Sequence, residues 1–296
     1  MSRPNAPGAT ARLPRFLGAE LPELAPEEAR FHVLPVPYEK TVSYGGGTAQ
    51  GPAAILEASG QLERWDGYSD PGAEGIYTWD PIDCSRAPEA VIEAIAEGVA
   101  KILRMGKTPV VLGGEHTVTW GVVSGCIAAG VNGLGVVQID AHADLRDEYE
   151  GGKLSHACVM RRVVEAGIPL FQLGNRAYCE EERAARVRHN VRYVDADQLV
   201  PQGIDAITLP SDFPPNVFFT LDVDGIDPSV CPATGTPVPG GLGWYQTLGL
   251  FESVARQRCI IGFDILEFAP IPGFHAFDFT AALLTYKLMG ILQRRG

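Results

Sequence analysis

The sequence has no apolar run approaching the roughly 20 residues that a membrane-spanning helix requires, which excludes a helical membrane protein. Its six cysteines, Cys84, Cys126, Cys158, Cys179, Cys231 and Cys259, include no Cys-x-x-Cys pair, so they read as reduced, mostly buried thiols rather than a disulfide or zinc framework. No segment repeats at a solenoid period. Neither Gly-x-Gly-x-x-Gly nor a P-loop with its lysine occurs, and the glycine-rich stretch Gly45-Gly46-Gly47 reads as a loop at the mouth of a site rather than a phosphate cradle. Basic residues are in deficit, 24 Lys and Arg against 36 Asp and Glu. The resulting charge of −12 disfavours nucleic acid and leaves small cations and metal ions as partners. The first residues lack the charged and then apolar profile of a secretory signal, so the cytoplasm is the expected compartment.

What is present is an ordinary globular composition, 46% hydrophobic and 20% charged over 296 residues, enough for one large α/β core. Residues 1–30, rich in Pro, Ala and Glu, read as an arm that is at best partly ordered, and residues 31–296 as a single domain. Short apolar runs at Phe31 to Pro35, Thr108 to Leu112, Leu134 to Val137, Pro169 to Leu173, Val191 to Val194, Asn216 to Leu221 and Cys259 to Glu267 read as strands. Helical patterns lie between several of them, at 88–105, 157–166 and 180–188, and a long helix closes the chain. Such alternation predicts a parallel sheet covered by helices.

Polar residues gather where these strands end. Gln138-Ile139-Asp140-Ala141-His142-Ala143-Asp144 sets two carboxylates and an imidazole at alternate positions after a buried run. In an extended or turning segment such positions can converge on a metal ion, although a polar loop capping the next helix would look the same. Gly113-Gly114-Glu115-His116 presents a histidine behind paired glycines, and Asp222-Val223-Asp224 repeats the alternate spacing. Two such carboxylates repel strongly unless a cation or proton lies between them. With no thiolate nearby, Asp and His favour hard or borderline divalent cations. Ser155 reads as a helix N-cap and His156 as a first-turn residue whose pKa the helix dipole would lower. Three strand ends at the carboxyl edge of one parallel sheet is where such folds keep their sites.

Gly-Gly-Glu-His at 113–116, Asp-Ala-His-Ala-Asp at 140–144, Ser-His at 155–156, Asp-Val-Asp-Gly-Ile-Asp-Pro at 222–228 and the strand ending in Glu267 together resemble the ureohydrolases, the arginase and agmatinase family. The resemblance implies a three-layer α/β/α fold on an eight-stranded, mostly parallel sheet, trimeric or hexameric assembly, and two Mn2+ ions about 3.5 Å apart. It assigns His116 and Asp144 to one metal, His142 and Asp224 to the other, and Asp140 and Asp222 to both. Charge counting agrees, since four aspartates balance two divalent ions. It further implies that Asp144 relays a proton to the leaving nitrogen, that His156 exchanges protons with solvent, and that Glu267 orients a guanidinium. A non-catalytic relative would be expected to lose ligands, and the one-zinc deacetylases of the same fold class use a different set.

The implied reaction splits a small cationic guanidino compound into urea and an amine. Arginases place an asparagine two residues after the last aspartate of the motif, where this chain has Arg146. Leu145-Arg146-Asp147-Glu148-Tyr149 is instead similar to the loop of bacterial and archaeal agmatinases, which implies agmatine as substrate and putrescine as product. The stretch Asp147, Glu148 and Glu150 predicts an acidic rim that would draw in a dication. Arg146 is expected to pair with a neighbouring acid; were it to face the pocket, it would welcome the carboxylate of guanidinobutyrate instead.

Overall fold

The computed structural model describes residues 13–202 and 207–295. Eight strands form its sheet: β1 (Phe31–Val36), β2 (Ile76–Thr78), β3 (Thr108–Gly113), β4 (Leu134–Ile139), β5 (Leu170–Leu173), β6 (Arg192–Val194), β7 (Asn216–Asp222) and β8 (Cys259–Leu266). Their order across the sheet is β2-β1-β3-β8-β7-β4-β5-β6. All pairings between these strands are parallel, which sharpens the expected mostly parallel sheet.

The central strands are buried on both faces, so their side chains alternate between two cores instead of between core and solvent. Val110 and Leu112 join one core while Val111 joins the other; Val137 and Val136, or Phe219 and Phe218, divide in the same way. The first core is closed by α1 (Gly51–Ser59), α6 (Ala196–Gln202), α7 (Trp244–Gln257) and α8 (Ala276–Gln293), through residues such as Ile55, Leu199, Phe251 and Leu288. The second is closed by α2 (Pro88–Arg104), α3 (Val118–Ala128), α4 (Val159–Glu165) and α5 (Glu180–Arg188), through Ile95, Val122, Val159 and Ala185. Three layers result, as expected. α3 lies against α2 through Gly121 and Gly125, where a Cβ would stand 2.8 Å from Ile95 and 2.7 Å from the Ala96 carbonyl oxygen.

Residues 1–12 of the expected arm lie outside the described residues; residues 13–30, many of them exposed, are anchored by a few buried side chains. Phe16 and Leu17 are buried in the first core, their amides donating to Thr78 Oγ1 and Ser59 Oγ. The apolar pair supplies the burial that the surrounding Pro and Glu conceal in composition. Among the described residues no helix is long and apolar enough to cross a membrane, and all six cysteines are free.

Candidate metal centre

Four neighbouring strands in the middle of the sheet, β3, β8, β7 and β4, deliver the site from their carboxyl ends. His116 follows β3, Glu267 follows β8, Asp222 ends β7 with Asp224 just beyond, and Asp140, His142 and Asp144 follow β4. The close approach of the β3 loop depends on Gly114, where a Cβ would fall 2.0 Å from the Tyr38 carbonyl oxygen. Asp144 and Glu267 both adopt left-handed backbone conformations, φ 52° and 58°, which side-chain-bearing residues hold only at a cost of about 1–3 kcal/mol each. Strain retained at two such residues, both turned into one cavity, is characteristic of a working site.

His116 is buried, and its Nδ1 lies 3.0 Å from Asp140 Oδ2, 3.0 Å from Asp144 Oδ2 and 3.3 Å from Asp222 Oδ2. It has hydrogen-bonding geometry to none of them. On the other side of the ring Nε2 stands 2.9 Å from Thr220 Oγ1, a natural place for the ring proton. With the ring proton on Nε2, His116 Nδ1 turns a lone pair towards these carboxylates; its donor atom clusters with those of Asp140 and Asp222, while Asp144 approaches His116 but stands outside that cluster. A second group faces the first. His142 Nδ1 lies 2.9 Å from Asp224 Oδ2 and 3.6 Å from Asp140 Oδ1. The donor atoms of His116, Asp140 and Asp222, and those of Asp140, His142 and Asp224, each lie within 4.8 Å of one another, so each group is able to hold a metal ion. Asp140 belongs to both groups; Asp222, expected to be shared as well, stands in the His116 group.

Crowding of buried acids shows in their protonation. Burial, with Asp140 alongside, pushes the Asp144 carboxyl up to about 7. Burial together with Asp224 and Asp140 pushes Asp222 well above the usual carboxylate range. Glu267 is also raised by burial, so a charge there is favoured chiefly opposite a cation. Its Oε1 accepts from the His116 amide at 2.7 Å. His156 is lowered, as expected, but burial is the leading cause. The residue sits in a 3-10 turn, His156–Cys158, ahead of α4, and the Ser155 side chain makes no capping hydrogen bond. The helix dipole is therefore not needed to explain the shift.

Polar residues outside the motifs hold the ligands in place. Gln138 Nε2 donates to Asp140 Oδ2 at 2.6 Å, Gln172 Nε2 to Gln138 Oε1 at 2.6 Å, and Arg186 Nε to Gln172 Oε1 at 2.9 Å. Arg176 donates to the backbone carbonyl oxygens of Asp224 and Val238. A glutamine inside an apolar strand is the signal that would have found Gln138 and Gln172, since a buried amide needs partners.

Above the donors lies a cavity of about 360 Å³, lined by His142, Asp144, His156 and Glu267, and towards its opening by Tyr44, Tyr149 and Tyr178. The expected acidic rim does not line it. Asp147 turns to Lys153 and Arg162, and Glu148 and Glu150 are exposed outside the wall. Arg146 lines the cavity with its guanidinium 5.4 Å from the Tyr149 ring centroid, so the arginine expected to pair with an acid stacks on an aromatic face instead. A Tyr149–Gly152 bridge, with both amides donating at 2.9 Å, folds the loop back on itself.

A family model described as the arginase family matches residues 29–290. Among characterised relatives, the N(1)-aminopropylagmatine ureohydrolase of Synechocystis is 41% identical over 277 residues, 89% of each chain. The agmatinase of Pyrococcus horikoshii is 31% identical over 287 residues, covering 95% of this chain and 98% of its own. Among solved structures, the agmatine ureohydrolase of Thermoplasma volcanium superposes with a TM-score of 0.85 at 30% identity, covering 96% of both chains.

Proposed function

The chain belongs to the arginase family, and from that premise we propose that it hydrolyses a guanidino compound carrying one or more further amines, agmatine or N1-aminopropylagmatine, to urea and the corresponding amine. The observation that carries this reading is the pair of donor groups sharing Asp140 beside a cavity whose lining includes Tyr44, Tyr149 and Tyr178. His116 and Asp144 would hold one divalent ion, joined by Asp222, and His142 and Asp224 the other, with Asp140 serving both. Their oxygen and nitrogen donors suit manganese. When bound, two such ions supply charge neutralisation and make water nucleophilic near neutral pH.

The remaining work falls to the chain. The guanidinium carbon is a poor electrophile because its charge is spread over three nitrogens. Glu267, with Oε1 fixed by the His116 amide, presents its other oxygen to the guanidinium and holds the carbon in place. Asp144 takes up the proton released as water adds and returns it to the alkyl nitrogen as the carbon-nitrogen bond breaks. His156 exchanges that proton balance with solvent at the cavity wall. The tyrosine faces receive the distal ammonium groups of the substrate. Cytoplasmic location and self-association as a trimer or hexamer belong to the same proposal.

Urea release by the manganese-loaded protein tests the substrate directly. Agmatine and N1-aminopropylagmatine are expected to show higher kcat/KM than arginine or guanidinobutyrate. Arg146 supports one competing reading, because a cationic side chain in the cavity wall would greet a carboxylate. A higher kcat/KM for guanidinobutyrate, reversed in Arg146→Ala, would establish that reading and leave the hydrolytic chemistry unchanged. For His156→Asn, turnover is expected to fall about 100-fold, the lower end for a lost acid-base group, with metal content unchanged and partial rescue by imidazole. Loss of metal in that variant would instead make His156 a structural residue.

A further inference from the structure

We propose that Glu115 and Thr41 are positioning residues that lock the His156 imidazole in its Nδ1–H tautomer, leaving Nε2 unprotonated on the cavity side; the catalytic meaning of this lock rests on His156 acting as the proton shuttle. The three residues come from separate segments, after β1, after β3 and before α4, and meet beside the cavity.

The inference follows from counting hydrogens. Glu115 is fully buried, and its carboxylate accepts four hydrogen bonds. Oε2 receives the amides of Lys40 at 2.5 Å and Thr41 at 2.7 Å. Oε1 receives the hydroxyls of Thr41 at 2.7 Å and Thr117 at 2.6 Å. Four donors fill the four acceptor positions of the carboxylate. The single hydroxyl hydrogen of Thr41 is thereby committed to Glu115.

Only the lone pairs of Thr41 Oγ1 remain for His156. One receives the His156 backbone N–H at 3.1 Å. The other faces His156 Nδ1, also at 3.1 Å. A deprotonated Nδ1 would set lone pair against lone pair; a protonated one completes the hydrogen bond. Ser155 Oγ, at 3.5 Å from Nδ1, is the weaker neighbour; it can accept a share of the same hydrogen, and the shorter Thr41 contact sets the tautomer. Tyr149 packs edge-on against the imidazole, with ring centroids 5.6 Å apart and an interplanar angle of 82°. With the hydrogen bond made by one ring nitrogen fixing the state of the other, Nε2 is the atom left to take and give protons. Isolated imidazole side chains favour the opposite tautomer, so the lock is a property of this surrounding.

The test is nitrogen-15 NMR of the full chain labelled at histidine and loaded with diamagnetic Zn2+, with the His156 signals assigned by their loss in His156→Asn. The wild-type protein is expected to show a protonated Nδ1 and an unprotonated Nε2. Thr41→Val is expected to shift the population towards Nε2–H and to lower kcat of the manganese enzyme roughly 10–100-fold, the range for a group that orients a functional imidazole, with KM changed less than about twofold. Thr41→Ser, which restores the hydroxyl, should recover both. Glu115→Gln, which frees the Thr41 hydrogen to turn towards Nδ1, should move the tautomer in the same direction; should it fail to fold, the Thr41 pair decides. A wild-type Nε2–H tautomer overturns the lock, as does a Thr41→Val protein with the wild-type tautomer and kcat. If the lock is seen but His156→Asn turns over at the wild-type rate, the shuttle reading falls rather than the geometry.

Discussion

Asp140→Asn is expected to lower urea release at least about 1,000-fold and to reduce bound metal below two ions per chain. Asp140 is the one residue common to both donor groups, with Oδ2 3.0 Å from His116 Nδ1 and Oδ1 3.6 Å from His142 Nδ1. Each oxygen is also committed to a donor, Oδ2 to Gln138 Nε2 and Oδ1 to the His142 amide, both at 2.6 Å. Asparagine is nearly the same size but cannot satisfy this arrangement. Either orientation of its amide turns an NH2 group towards an N–H donor, and the carboxylate charge is gone as well. Losing an ion removes several kcal/mol of charge stabilisation, and about 4 kcal/mol is already a factor near 1,000 in rate. Asp224→Asn, confined to the His142 group, should be milder. Elemental analysis alongside the assay decides the matter: two ions retained in an inactive Asp140→Asn protein would show that the residue acts otherwise than by holding them.

The donor residues were legible in the sequence because each motif is local and strand ends place them. Alternate positions after a buried strand can turn to one side whatever the remaining fold; Asp140 and Asp144 both approach His116, and Asp140 approaches His142. Elements without a local period were less visible. α3 is apolar around most of its circumference because it is packed between α2 and the sheet, so no polar face marks it as a helix. β2 is three residues long and pairs only with β1 at the sheet edge. α7 does carry a readable spacing, Thr247, Leu250, Phe251 and Val254, all buried.

Direction of side chains was the part that sequence withheld. The acids at 147, 148 and 150 stand beside Arg146 in the chain, yet Arg146 lines the cavity while Asp147 pairs with Arg162 and Glu148 and Glu150 are exposed. Charge content gives no side-chain direction. Gln172 and Thr41 meet their partners Gln138 and His156 across 34 and 115 residues of chain, so the partners are not encoded locally. Glu115 lay in plain view within Gly-Gly-Glu-His, but its role depends on a loop that arrives from β1.

Glu267→Gln carries the second large effect, a fall in kcat/KM of roughly 100-fold with fold and metal content retained. The carboxylate divides its two oxygens between tasks. Oε1 accepts from the His116 amide at 2.7 Å, which the amide oxygen of glutamine can reproduce. The second position then has to be the amide nitrogen, so an NH2 donor replaces an anionic acceptor where the guanidinium is to bind. A hydrogen bond to a charged partner contributes about 1.5–3 kcal/mol, and the upper part of that range corresponds to about two orders of magnitude in kcat/KM. The His116 contact should survive, and with it the donor set around His116 Nδ1, which makes metal content the deciding control. A variant that binds its metals and stays within threefold of wild type would remove Glu267 from substrate orientation. Loss of metal would place its contribution in fixing the β3 loop through the His116 amide, with the left-handed backbone at Glu267 serving that contact instead of the substrate.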